Sequence, residues 1–244
     1  YRGCDRTKAF NIYSSSKSYT STAFGMILTD FGNGPLPNGK NLSLDTKVCN
    51  AEWIPESLPR SDPRKSEITV RNLLNMASGI GPEAMPAKAP FETALGKNEG
   101  SPFATLKGDP GTVFNYSNAG VSHLVLLFNH AQGGDLFPFL KQRMLDPIGL
   151  KQVEWMKIGG EGGIGPYNQG YSGIFTNPRE HARFCYLALH KGEWAGKRIV
   201  PASYYDFAWK PTDVKNEYGG QWWTFPELPN GPSDLVMTRG KDNN

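Results

Sequence analysis

Ser14, Ser15 and Ser16 stand directly before Lys17 in "FNIYSSSKSYTSTAFGMIL", residues 10–28, at the head of an apolar run that reads as a helix. Hydroxyls crowded against an ammonium have two physical uses. One is a polar cap with a solvated lysine; the other is a nucleophile with its base. If a helix begins at Ser14, residues i and i+3 share a face, so the spacing singles out Ser14 as the hydroxyl that meets the Lys17 amine. The helix N-terminus then offers a backbone N–H and a positive dipole end to an oxyanion. A lysine desolvated there loses its proton more readily, and the free amine can serve as a general base. Ser-x-x-Lys by itself arises often by chance. A second candidate lies in "PGTVFNYSNAG", residues 110–120, where a Gly/Pro loop enters an apolar helix. Tyr116 is there either a packing aromatic or a proton relay, Ser117 a helix cap, and Asn118 a possible donor to a substrate carbonyl.

Elements must hold these groups together. "AFNIY" alternates like a strand, and the helix from Ser14 is expected to run to the stop signals in "DFGNG". "ITVRNLLNMASGI" puts Val70, Leu73, Leu74 and Ala77 on one helical face ahead of Gly79. Further helices are expected from Ser117 to Ala131, from Asp135 to Leu145, and from Asn177 to His190, the last with an Asn cap and Pro178 in its first turn. "YGGQWWTF" and "DLVMTRG" read as late strands, with Trp222 and Trp223 as core and cleft wall. Strand, many helices, then strands predicts an α+β domain with helices grouped on a sheet, spanning residues 1–244.

Composition narrows the function. At 244 residues, with 38% hydrophobic and 20% charged residues, the chain can bury a sizeable core. The +3 charge is small and its basic residues are scattered, which argues against a nucleic-acid partner. The longest apolar run, Leu124 to Phe128, cannot span a bilayer. Cys4, Cys49 and Cys185 show no C-x-x-C and leave room for one disulfide and a free thiol. Gly160-x-Gly162-x-x-Gly165 formally matches a dinucleotide fingerprint, but Pro166 follows where a helix should, so it reads as a loop. His123 and His130 lie seven apart without H-E-x-x-H, and no G-x-S-x-G elbow occurs.

Taken in order, five segments resemble the serine β-lactamase and penicillin-binding-protein superfamily, especially its class C, DD-peptidase and esterase branch. "FNIYSSSKSYTS" is similar to the nucleophile segment and "ITVRNLLNMASGI" to the helix and turn that follow it. "PGTVFNYSNAG" is similar to the Tyr-x-Asn segment, and "LKQRMLDPIGLKQVEW" to the Pro-Leu-Gly-Met helix end. "SGIFTNPREHARFCYLALHKGEWAGKRIVPASYYDF" resembles the later helix, its Gly-Lys turn and the helix start beyond it.

The resemblance implies a β-lactamase-like α+β fold, a mixed antiparallel sheet flanked by helices plus a helical region. It implies acyl transfer on an ester, an amide such as a peptide stem, or a β-lactam, with no metal or organic cofactor. Ser14 would be the nucleophile, Lys17 and Tyr116 would jointly handle its proton, and Asn118 would bind the substrate's flank. The third motif departs from the family: in "VMTRGKDNN" no Lys or His precedes the Thr-Gly pattern. Thr238, Arg239 and Gly240 are the candidates there, with Arg239 facing a substrate carboxylate and the Lys241 backbone N–H completing an oxyanion hole; a solvent-facing arginine is the plain alternative. The family also implies a secreted or periplasmic setting. It would place more strand and helix before Ser14 and after "TRGKDNN", so the chain is expected to be an excerpt, or to be completed by another chain, with fewer strands than the family's sheet. Two other classes are a non-catalytic binding member of the same fold and a nucleotide-dependent oxidoreductase built on the glycine loop.

Overall fold

The computed structural model describes residues 5–86, 89–160, 163–225 and 234–241; Cys4 and Gly162 lie outside them. After β1 (Phe10–Asn11), a 3-10 turn at Tyr13–Ser15 leads into α1 (Ser16–Gly25), and every residue of α1 is buried. This helix has no apolar stripe, because most of its surface is hydroxyl. It can lie in the core since those hydroxyls are satisfied. Ser18 and Ser21 donate to the carbonyls of Gln221 and Gly220, at 3.0 and 2.5 Å, and Thr20 donates to Gly170 at 2.7 Å. Ser16 Oγ accepts from the Ile174 N–H at 3.2 Å. The helix ends at Gly25, earlier than the expected stop at "DFGNG". Asn33, from that segment, donates to the Gly25 and Leu28 carbonyls at 3.0 and 2.8 Å, so it caps the helix from outside.

Helices α2 (Val70–Leu74) and α3 (Phe91–Leu95) pack against the long α4 (Asn118–Gln132). Thr69 and Asn72 form a reciprocal capping box on α2, and Ser117 caps α4 by accepting from Gly120 N. The helix expected over residues 135–145 is split into α5 (Leu136–Leu140) and a π turn at Lys141–Leu145. Four strands follow: β2 (Val153–Trp155), β3 (Lys157–Ile158), β4 (Tyr167–Asn168) and β5 (Ile174–Thr176). The described glycines of the fingerprint-like run, Gly160 and Gly165, fall between β3 and β4, and the chain after Pro166 enters a strand where a dinucleotide fingerprint would need a helix.

Asn177 accepts from the Arg179 and Glu180 N–H groups at 3.1 Å each and starts α6 (Pro178–Leu189). The hairpin β6 (Glu193–Trp194) and β7 (Lys197–Arg198), then α7 (Ala202–Ala208), precede β8 (Tyr218–Gly219), β9 (Trp222–Phe225) and β10 (Leu235–Met237). All strand pairs are antiparallel, and the described residues form two three-stranded sheets, ordered β1-β5-β2 and β10-β9-β8, plus two two-stranded ones. The expected single sheet is therefore divided among the described residues, with α1 bonded to both three-stranded parts.

Cys49 and Cys185 are free thiols. His123 is buried, with Nδ1 2.9 Å from the Ala119 carbonyl, and His130 meets Glu56 at 2.8 Å on the surface, so both have structural partners. No helix among the described residues is long and apolar enough to cross a membrane.

Gly25 marks where α1 meets α7. A Cβ there would lie 2.4 Å from Tyr204 Cγ, and that ring is fully buried. Gly25→Ala is expected to cost about 1–3 kcal/mol by overpacking. An unchanged urea midpoint would show that α7 yields freely.

Candidate active site

The backbone delivers Ser14 through a strained turn. Asn11 Oδ1 accepts from Tyr13 N at 2.8 Å, and Tyr13 takes φ +47°, a sparsely populated region for an aromatic residue. Ser14 therefore sits within the 3-10 turn rather than at the first position of an α-helix, which begins two residues later. The change keeps the spacing intact: Lys17 Nζ is hydrogen-bonded to Ser14 Oγ at 2.9 Å. Lys17 also donates to the Tyr171 carbonyl at 2.9 Å, and its ammonium lies 4.9 Å from the Tyr116 ring centroid.

Lys17 is buried, and among the described residues no carboxylate pairs with it. Desolvation pushes its pKa down to about 7. Charge is costly there and the free amine is correspondingly accessible. Neighbouring carbonyl and ring contacts do not remove that penalty.

Tyr116 enters from the loop ahead of α4, with its ring beside the Lys17 ammonium that contacts Ser14. Burial raises its pKa above the ordinary phenol value; the Ser14 hydroxyl and the Arg239 charge oppose that rise. Its ring stacks on Trp223 at 5.7 Å and meets Tyr218 edge-on at 5.9 Å, so β8 and β9 fix its orientation. Asn118, two residues on, opens α4, and its Oδ1 is buried with no hydrogen-bond partner among the described residues. A buried amide oxygen in that state has capacity for a donor.

Arg239 is exposed, and its guanidinium carbon lies 5.8 Å from the Trp223 ring centroid. Through that ring it joins the Tyr116 side of the cluster. Gly240 is buried and Lys241 exposed; among the described residues no hydrogen bond ties either to Ser14 or Lys17.

The arrangement brings together a hydroxyl, an amine biased toward its neutral form and a phenol, which is what nucleophile activation and proton transfer need. Sequence reasoning missed Tyr171, whose backbone carbonyl carries no residue signature. It also missed Tyr218 and the strained Tyr13.

The sequence profile of the Beta-lactamase family matches residues 1–223. Among curated proteins no sequence matches the chain. Solved structures match throughout. The octameric penicillin-binding protein homologue from Pyrococcus abyssi aligns at TM-score 0.68 and 19% identity over 95% of this chain and 56% of its own. D-stereospecific amidohydrolase from Streptomyces sp. gives 0.69 and 16%, over 97% of this chain and 76% of its own. A penicillin binding protein from Bacillus halodurans gives 0.67 and 16%, over 97% and 74%. The chain thus spans between 56% and 76% of the length of these three structures. At such identities the likeness is one of fold, while the profile match covers most of the sequence: the chain belongs to the beta-lactamase family, and its fold is that of the penicillin-binding-protein and beta-lactamase-like serine hydrolases.

Proposed function

We propose that this protein is a serine hydrolase that acts on an ester or amide through an acyl-enzyme on Ser14. The observation that carries the reading is the 2.9 Å contact between Ser14 Oγ and a buried Lys17 amine whose pKa is about 7. Ser14 Oγ attacks the substrate carbonyl carbon while its proton passes to the Lys17–Tyr116 pair. The tetrahedral oxyanion is held by backbone N–H groups, those of Ser14 and Lys241 being the candidates. Tyr116 then returns the proton to the leaving alcohol or amine as the carbon–oxygen or carbon–nitrogen bond breaks. Water attacks the acyl-enzyme by the same steps in reverse order, releasing the acid and restoring Ser14.

Asn118 binds the amide or ester flank, and Arg239 attracts a substrate carboxylate. The arginine, standing where the family has a Lys-Thr-Gly or His-x-Gly triplet, favours an esterase or amide hydrolase over a β-lactam specialist. The amidohydrolase and penicillin-binding neighbours are consistent with an amide or peptide substrate. A secreted or periplasmic setting fits such substrates.

The test is covalent. A fluorophosphonate probe should label the folded protein, and peptide mapping should place the adduct on Ser14. A panel of p-nitrophenyl esters, nitrocefin and D-amino-acid peptides then identifies the acyl group. Folded protein that takes no label and hydrolyses none of the panel is a binding member of the fold, and the proposal fails.

A further inference from the structure

We propose that His181 is a positioning residue that locks the exit of β10 onto α1 and thereby aims Arg239 at the cleft. The inference rests on the hydrolase reading above and adds a residue that reading does not contain.

Two contacts define the device. His181 Nδ1 is 3.0 Å from Tyr19 Oη, and its Nε2 is 3.1 Å from Thr238 Oγ1. Tyr19 lies two residues beyond Lys17 on α1, and Thr238 directly precedes Arg239. One imidazole on α6 therefore joins the helix that carries the amine to the strand that carries the guanidinium. The Tyr19 ring stacks on Phe184 at 3.7 Å and is fully buried, so the first anchor is rigid. Burial lowers the His181 pKa to about 4. Its ring is neutral at neutral pH, with one nitrogen donating and the other accepting, which suits a bridge between two hydroxyls. Cys185 Sγ is a longer neighbour of Nε2, at 3.9 Å.

Strand alternation explains why Thr238 is the useful place to hold. In the β9–β10 ladder Met237 pairs with Trp223 and Val236 with Thr224. Residues directly opposite share a face, and successive residues alternate faces. Met237 and Arg239 thus lie on the Trp223 face, which is the Tyr116 side, while Val236 and Thr238 face α6. The observed 5.8 Å approach of Arg239 to Trp223 agrees. Among the described residues the β9–β10 ladder ends at Met237, and no strand pairing there holds Arg239 in register. The Thr238–His181 bond supplies the constraint the ladder lacks.

The test uses His181→Leu, which fills the site and removes both bonds, and His181→Gln, which can accept from Tyr19 and donate to Thr238. Two measurements are needed. Amide hydrogen exchange at Arg239 and Gly240 should quicken about tenfold in the Leu variant, the scale of one lost hydrogen bond, and return toward wild type in the Gln variant. With p-nitrophenyl hemisuccinate against p-nitrophenyl butyrate, the ratio of kcat/KM should fall about tenfold in the Leu variant. The fall should reside in the KM for the hemisuccinate, match the direction seen with Arg239→Ala, and be recovered by Gln. A general loss of packing would instead lower both substrates together and would not be rescued. Unchanged exchange at Arg239 and Gly240 in the Leu variant overturns the proposal, whether or not the esters are hydrolysed. An unchanged ratio in that variant, with Arg239→Ala lowering it, overturns it as well. Wild-type protein that hydrolyses neither ester contradicts the hydrolase reading, and exchange then still decides the His181 bridge.

Discussion

Ser14→Ala is expected to abolish fluorophosphonate labelling and to lower ester turnover by roughly 10³–10⁶-fold, the range seen when a nucleophile acting in a unit is removed. The Oγ atom is the only group in the cluster that can both attack a carbonyl and hand its proton to Lys17 and Tyr116. Ser15 and Ser16 cannot substitute. Both are buried, and Ser16 Oγ is engaged by the Ile174 N–H. The fold should survive, since Ser14 lies part-exposed in its turn and Lys17 keeps its bond to the Tyr171 carbonyl. One lost hydrogen bond is worth about 1 kcal/mol. Thermal unfolding within a few degrees of wild type, with no label, is the expected pair of results. Persistent labelling at another serine would move the nucleophile elsewhere.

The Ser14–Lys17 relation was legible because helical spacing is a local property: three residues apart, the two side chains meet whether the turn is 3-10 or α. Tyr116 was legible through its place before an apolar helix and its family motif. The setting of α1 was not. Periodicity reads burial from apolar side chains, and α1 is buried through hydroxyls whose partners, the carbonyls of Gly170, Gly220 and Gln221, lie some 150 to 200 positions away. Its end was misplaced for a related reason. Asn33 terminates the helix through side-chain bonds across a loop, a contact that no stop signal encodes. The Tyr171 carbonyl and the Tyr19–His181–Thr238 bridge are likewise products of tertiary folding. Trp223 was read as cleft wall, and it does line the Tyr116 side of the cluster.

Lys17→Met should separate chemistry from stability. Methionine keeps an unbranched chain of similar length and removes the amine, so acylation of Ser14 should slow by about 10²–10⁴-fold, the usual contribution of a positioned general base. Stability should move the other way, and its pH dependence follows from the depressed pKa. Lys17 titrates near 7 when folded and near 10.4 when unfolded. Between those values the unfolded chain binds the extra proton, so wild-type stability rises with pH across the window. Below pH 7 both states are protonated and the full cost of burying the charge is present. The melting temperature of Lys17→Met should therefore exceed that of wild type by more at pH 6 than at pH 9. The same titration governs rate. Wild-type acylation should rise with pH around an inflection near 7, as the ammonium becomes an amine able to take the Ser14 proton, and the inflection should vanish in the Met variant. A wild-type labelling rate flat from pH 5 to 9 would exclude Lys17 as the base and leave Tyr116 alone in that role.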